Sequence, residues 1–198
     1  MGAILLPDCT LFPHGALPLH IFEDRYRQML DEALEGDCLF CVGRLTRKES
    51  LPLEDCTAKI GTAGLIRASR EQSDGQSDLI LHGVCRVRFV EWLPDKPYPF
   101  ARIEPLSSQL LSGEEVAREA QRLREAVESI LLGFPDGVVL QVQALLERAT
   151  DPSIMSDAVA QQFVHDSDLR QKLLEEPDIS KRIDVIITHL HSLRRGEL

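Results

Sequence analysis

The segment from residue 11 to residue 27 constrains the fold of this chain more than any other part of its sequence. Pro13, Gly15 and Pro18 lie close together in it, and each has a backbone restriction or freedom that suits a defined loop. Apolar residues then alternate with other residues, as they do in a strand with one buried face. The apolar positions of this predicted strand are Leu17, Leu19 and Ile21. The segment therefore predicts a surface loop that leads into a short strand.

The spacing of apolar residues lengthens after Ile21, which predicts a helix over residues 22–34. The expected buried stripe of this helix comprises Phe22, Tyr26, Met29, Leu30 and Ala33. Gly36 follows where a helix C-cap is expected. Glu23 and Arg25 belong to the start of the helix, where the dipole favours a carboxylate. Their simplest role is a local ion pair, and a direct binding role is the alternative.

Short apolar segments around this helix predict a small barrel-like sheet of curled strands. They are residues 4–6, 38–42, 60–68, 79–93 and 98–105. Asp74 and Gly75 suit a hairpin turn, and a bulge at Gly83 or near Val90 is expected to curl the longest strand. Arg86 and Arg88 alternate with apolar residues on that strand and are expected on its solvent side. The charged stretch over residues 44–55 is expected to be an excursion from the sheet.

The hydrophobic period changes at Ser112, and the rest of the chain is predicted to be helical. Ser112 and Glu115 have the spacing of a capping box, before a stripe that ends near Gly133. Asp151 and Pro152 have the order preferred at an N-cap and the first helical position. Further helices are expected over residues 139–149 and 169–174 and from residue 180 onward. We expect two domains, a β-rich one over residues 1–112 and a helical one over residues 113–198.

The order of residues around Pro13 and Pro18 resembles the signature that opens the N-terminal substrate-recognition domain of Lon proteases. The family pattern is approximately L-F-P, three residues, then L-P-L-x-I-F-E-x-R-Y, and residues 11–26 follow it closely. Residues 79–106, with the run Arg-Val-Arg-Phe-Val-Glu-Trp-Leu, are similar to a second block of that family. The resemblance implies an α+β fold, in which a PUA-like curled β pseudo-barrel with one early helix precedes a C-terminal helical bundle.

The resemblance also implies binding without catalysis. A chain of 198 residues is too short to hold the ATPase and the peptidase of a full Lon protease. It contains no G-x-x-x-x-G-K-[ST] phosphate loop and no segment similar to the Ser-Lys peptidase, so no catalytic residue is expected. It resembles a stand-alone bacterial Lon N-terminal domain protein that binds unfolded or degron-bearing polypeptides, or a partner protein.

Large side chains near the signature are the expected binding residues. They are Phe12, Pro13, Phe22, Arg25, Tyr26, Tyr98 and Phe100. Phe12 and Pro13 lie in a loop that connects two strands, and such loops run over the surface, so the Phe12 side chain is expected to be accessible. For each aromatic residue taken singly, packing in the core is favoured over a binding role.

Charge and cysteine content narrow the remaining function classes. The formal net charge of -10 disfavours a nucleic-acid partner, although PUA-like folds include RNA binders and an RNA-binding module stays an alternative. An unrecognised hydrolase or small-molecule binder is the other alternative. Cys38 and Cys41 have C-x-x-C spacing, but on a strand they point to opposite faces, so we expect no metal and no cofactor.

Hydropathy and the N-terminal sequence indicate where the protein works. No apolar run approaches the roughly 18 residues of a membrane helix, and the first residues do not resemble a signal peptide. We expect a cytoplasmic protein without a membrane partner.

Overall fold

The computed structural model describes residues 1–46, 52–131 and 136–195. The chain divides into two compact units, Met1–Ser107 and Ser108–Leu198. The first is built on a β-sheet and the second consists of helices, as the α+β prediction required. Part of the predicted charged excursion, residues 47–51, lies outside the described residues, and so does the predicted helix end at Gly133.

Six strands form the sheet of the first unit. They are β1 (Ala3–Leu6), β2 (Ala16–Ile21), β3 (Leu39–Arg44), β4 (Ile60–Glu71), β5 (Ser77–Leu93) and β6 (Phe100–Leu106). The strand order is β1-β3-β4-β5-β2, and β6 also pairs with β5. The β1–β3 pair is parallel and the other pairs are antiparallel. The first part of β5 pairs with β2 and its second part with β6, so these two strands follow one another along the same side of β5.

The sheet closes on itself through the first residues of the chain. Gly2 forms an antiparallel bridge with Phe100. The backbone N–H of Ala3 donates to the carbonyl of Pro99 at 2.8 Å, and that of Ala101 donates to the carbonyl of Met1 at 3.0 Å. Strand β6 thereby meets β1, and the ring β1-β3-β4-β5-β6 is the predicted pseudo-barrel.

Two bulges bend β5 at the positions that the sequence indicated. On the β4 side the extra residue is Val84, directly after Gly83. On the β6 side the register shifts between Phe89 and Glu91, which makes Val90 the extra residue. Because an extra residue bends a strand and increases its twist, these bulges curl the sheet toward closure.

Arg86 on the same strand is buried, although it was expected on the solvent side. Its side chain is buried, with 6% of its surface exposed, whereas Arg88 is exposed as predicted. Thr62, which faces Arg86 across β4 and β5, is also buried, and its hydroxyl donates to the carbonyl of Leu11. The segment before β2 therefore covers this part of the sheet. The alternation of residues along β5 predicted which face carries Arg86. It could not predict that another segment of the chain covers that face.

Helix α1 (Asp24–Glu35) begins two residues later than predicted. Glu23 is its N-cap and has an extended backbone, and Gly36 is the C-cap, as expected. The helix buries Tyr26, Met29 and Leu30 in the main core of the first unit. Phe22 precedes the helix and 60% of its surface is exposed, so its predicted place on the buried stripe is wrong. A single turn, α2 (Leu53–Cys56), follows β3.

Five helices make up the described part of the second unit. They are α3 (Gly113–Leu131), α4 (Asp136–Arg148), α5 (Pro152–Phe163), α6 (Ser167–Glu175) and α7 (Ile179–Arg195). The predicted caps are present, because Asp151 accepts from the backbone N–H of Ser153 and the Glu115 carboxylate accepts from the backbone N–H of Ser112. The core lies between α3, α5 and α7. Among the described helices, none is long and apolar enough to cross a bilayer.

Candidate functional site

Phe12 and Pro13 are buried, contrary to the expected accessibility of this loop. The exposed fraction of Phe12 is 0%, and Pro13 is buried too. The N–H of His14 donates to the carbonyl of Gly83 at 2.8 Å, which holds the loop on β5. A Cβ atom on Gly83 would lie 2.1 Å from the carbonyl oxygen of Phe12. The expectation of an accessible Phe12 side chain is therefore wrong, because the loop packs its backbone against the sheet.

The two predicted tyrosines also belong to the core. Tyr26 is 4% exposed and Tyr98 is 5% exposed. The Lys96 ammonium and the Tyr98 hydroxyl each donate to the same Glu32 carboxylate oxygen at 2.7 Å, and these bonds lower the pKa of Glu32 to about 2. Half-buried Phe100 presents its ring at a steep angle to that of Tyr98, with the centroids 6.3 Å apart. This group ties α1 to the β5–β6 connection.

Phe22 is the most exposed of the predicted binding residues. Arg25 is half-buried, its Nε donates to the Glu23 carboxylate at 2.9 Å, and its guanidinium lies 4.6 Å from the centroid of the Tyr26 ring. The local ion pair predicted between Glu23 and Arg25 is confirmed. Phe22 instead stacks on the imidazole of His20, with the ring centroids 6.0 Å apart.

A groove of about 510 Å³ lies beside this stacked pair, on the face of the sheet that carries Ile80 and is opposite to Leu81 and the core under α1. We call it the sheet-face groove, and it is lined by Pro18, Leu19, His20, Ala68, Ser69, Arg70, Asp78, Leu79 and Ile80. Two cross-strand rows form its floor. The apolar row consists of Pro18 on β2, Ile80 on β5 and Ala68 on β4, and the polar row consists of His20, Asp78 and Arg70. Ile80 is 47% exposed.

Hydrogen bonds hold two members of the polar row, His20 and Asp78, in place. His20 Nδ1 lies 2.8 Å from one carboxylate oxygen of Asp78, and Nε2 lies 2.6 Å from the side-chain oxygen of Gln76. The other Asp78 oxygen accepts from Gln72 at 2.7 Å. These bonds raise the pKa of His20 and lower the pKa of Asp78. Both nitrogens of His20 face oxygen acceptors, an arrangement that is complete only when the ring carries two protons.

Strand β2 is the edge of the sheet beside the groove, and within the described residues it pairs with β5 alone. Gly83 donates to the carbonyl of Gly15, so hydrogen-bonded pairs on this ladder occur at odd-numbered β2 residues. Pro18 therefore has its nitrogen on the free edge, where it cannot donate to another strand. A proline in this position discourages strand addition, so the groove is available for side-chain contacts rather than for a seventh strand.

The described residues contain no group of three or more His, Cys, Asp or Glu side chains positioned to hold a metal ion. Cys38 has a positive φ of 57° and precedes β3, whereas Cys41 lies within it and is buried.

The sequence interpretation missed Ile80, Pro18 and Arg70. A signal for Ile80 was available, since the buried residues Leu79 and Leu81 flank it on a strand and leave its side chain on the other face. Arg70 could not be identified from its neighbours in the sequence, because its position beside Asp78 depends on the register of the hairpin that turns at Gly75.

Comparison with known proteins identifies relatives of the whole chain. The sequence profile described as the ATP-dependent protease La (LON) substrate-binding domain matches residues 2–192. The Lon protease of Syntrophus aciditrophicus is 28% identical over 187 residues, which is 90% of this chain and 23% of that protein. The Lon protease of Dictyoglomus thermophilum is 24% identical over 93% of this chain and 23% of its own length. The chain thus spans about a quarter of these relatives.

Solved structures of similar fold cover nearly the whole chain as well. The N-terminal domain of a Mycobacterium avium complex Lon protease has a TM-score of 0.74 at 15% identity, covering 96% of this chain and 97% of that one. A Lon N-terminal domain protein from Xanthomonas campestris has a TM-score of 0.65 at 20% identity, covering 95% and 96%.

Proposed function

The chain belongs to the family of Lon protease substrate-binding domains, and on this premise we propose that it is a non-catalytic module that binds extended or unfolded polypeptide. The proposed ligands include degron-bearing proteins and unfolded segments of a partner protein, and the proposed compartment is the cytoplasm. The proposed binding surface is the sheet-face groove together with Phe22.

The observation that carries this proposal is the exposure of apolar side chains around the groove. Phe22 and Ile80 are 60% and 47% exposed, and Pro18 and Ala68 extend the apolar surface across three strands. Exposed apolar surface of this kind is typical of sites that bind other proteins. An unfolded chain supplies apolar side chains that can cover it, and its backbone need not pair with β2.

Ile80 offers a sharp test with a matched control on the same strand. Ile80→Ala should weaken capture of a labelled, reduced and alkylated protein by about 1 kcal/mol, or roughly five-fold, because that side chain would no longer be covered on binding. Val84 is a similarly exposed β-branched residue, at 46%, four positions further along β5 and outside the groove. Val84→Ala should leave capture unchanged.

Equal effects of the two variants would contradict the proposed surface. Failure of the unaltered protein to capture any unfolded chain would contradict the proposed function itself. A thermal melt of each variant confirms that the comparison is made on folded protein.

A further inference from the structure

The sheet-face groove contains two basic side chains, His20 and Arg70. In the part of the chain that the structure describes, His20 is hydrogen-bonded to a carboxylate, and the Arg70 guanidinium is not. Within the described residues the Arg70 guanidinium makes no hydrogen bond or ion pair, although its charge contributes to the lowered pKa of Asp78. Asp78 faces Arg70 across β4 and β5, but its two oxygens are already engaged by His20 and Gln72. The Arg70 guanidinium can therefore offer its planar set of donors to a group outside the chain.

The distance between the two rows of the groove determines the spacing of side chains in a ligand that fits it. Ala68 and Arg70 are two residues apart on β4, as Ile80 and Asp78 are on β5, so the apolar and polar rows lie about 7 Å apart. An extended polypeptide has the same period, since its residues i and i+2 project to one side. A peptide lying along the strands would place one side chain on the apolar row and the next on the same side beside Arg70.

We propose that the groove selects extended polypeptide segments in which an acidic side chain lies two residues from an apolar one, with Arg70 as the residue that recognises the carboxylate. This inference rests on the proposed polypeptide-binding function and names the chemistry of its ligand. Arg70 and the carboxylate would form a charge-assisted, bidentate hydrogen-bonded pair, while Ile80, Pro18 and Ala68 cover the apolar side chain.

The net charge of the protein opposes the binding of an acidic ligand. A formal net charge of -10 repels acidic ligands at long range, so any preference for them must arise from a local contact. At about 0.15 M salt the screening length is roughly 8 Å, which weakens the overall repulsion more than a direct pair. Measurements at that ionic strength therefore isolate the contribution of the groove.

The test uses the full chain and a fluorescent peptide of repeated Leu-Ser-Asp-Ser units, with a twin in which Asn replaces Asp. The repeat places Leu and Asp alternately on one side of the extended peptide, in either direction of binding. By fluorescence anisotropy the Asp peptide should bind about two- to five-fold more tightly than its twin, the range expected for an exposed ion pair. Arg70→Gln should bring this ratio to about one, while Arg70→Glu should favour a third peptide that carries Lys.

Arg67 supplies the control, since it is an exposed arginine on the same strand that does not line the groove. Arg67→Gln should keep the preference for Asp. Equal binding of the Asp and Asn peptides to the unaltered protein would overturn the proposal, and so would an equal loss of preference in the two glutamine variants. If neither peptide binds, the proposal also fails. Capture of a reduced and alkylated protein in the same assay then shows whether polypeptide binding itself has failed.

Discussion

His20 on β2 faces Asp78 on β5, and their side chains meet at 2.8 Å in the sheet-face groove. The bond favours the charged form of each partner, so it raises the pKa of His20 and lowers the pKa of Asp78. Phe22 stacks on the same imidazole. The His20 ring thus contacts both an acidic side chain and an exposed apolar one.

The stability that this pair contributes should depend on pH at both ends of a defined window. The contribution of protonated His20 is complete below its unfolded pKa of about 6.5 and disappears as the pH rises through the higher folded value. The contribution of the Asp78 carboxylate is complete above its unfolded pKa of about 3.8 and disappears as the pH falls through the lower folded value. The pair should therefore stabilise the fold most between about pH 3.8 and pH 6.5.

An NMR titration of the His20 ring checks the cause of the shift. Asp78→Asn should lower the pKa of His20, because the variant retains the shape of the side chain and removes its charge. Asp95→Asn is the control, since Asp95 is an exposed residue just beyond the other end of β5. An unchanged His20 pKa in Asp78→Asn would show that the pair does not set it.

Gly83 should be intolerant of a side chain. In Gly83→Ala the new Cβ would meet the Phe12 carbonyl oxygen at 2.1 Å, and we expect a loss of about 1 to 3 kcal/mol of unfolding free energy. Fluorescence of Trp92, the only tryptophan of the chain, reports unfolding of the first unit. Gly137→Ala in the helical unit is the control, followed by circular dichroism, because nothing lies within 4 Å of its Cβ position on α4, where alanine is the better helix former. A tolerant Gly83 would mean that the loop does not rest on β5.

The sequence predicted the parts of the fold that depend on local rules. The Ser112 and Asp151 caps, the turn at Gly75 and the bulges of β5 each follow from the chemistry of a few neighbouring residues, and each is present. Closure of the barrel between Gly2 and Phe100 joins residues nearly a hundred positions apart. The succession of curled strands indicated a barrel-like sheet, but no local rule identifies the residues that close it.

The candidate site was harder to predict because burial is decided at long range. Phe12 belongs to a loop, yet its side chain packs in the core, because Gly83 allows the loop to approach β5. Phe22 appeared to continue the stripe of α1, but the helix begins after it and leaves the ring in solvent. Arg70 has no distinguishing sequence pattern, and only the hairpin register brings it beside Asp78.

The purified protein should hydrolyse neither ATP nor casein. The sequence contains no phosphate loop and no Ser-Lys peptidase segment, and its matches cover about a quarter of the Lon proteases to which it is similar. Coupled ATPase and fluorescent casein assays check this, with a complete Lon protease as the positive control. Activity that follows the protein through every purification step would contradict the non-catalytic proposal.

Loss of the ion pair between Asp157 and Arg182 should strongly lower the unfolding free energy of the helical unit. Their side chains are 2% and 0% exposed, they meet at 2.6 Å, and Arg182 also donates to the Ser108 hydroxyl at 2.9 Å. Asp157→Ala would leave a buried cation without its carboxylate and should cost about 3 to 5 kcal/mol. Urea unfolding followed by helical circular dichroism measures the loss. Replacing Asp157 by Leu and Arg182 by Met together should recover much of it, and a double variant as unstable as the single one would show that lost packing dominates.

Phe12→Ala and Phe22→Ala should separate stability from binding. Phe12 is fully buried, so its truncation should cost about 3 to 5 kcal/mol and lower the melting temperature of the first unit. Phe22 is 60% exposed, so Phe22→Ala should change stability by no more than about 0.5 kcal/mol and still weaken capture of unfolded protein. Because the lost contact is apolar, this weakening should persist at high salt, where an ionic contact would be screened. If Phe12→Ala, assayed at a temperature where it remains folded, loses capture while Phe22→Ala retains it, the binding surface lies at the loop and not on the sheet face.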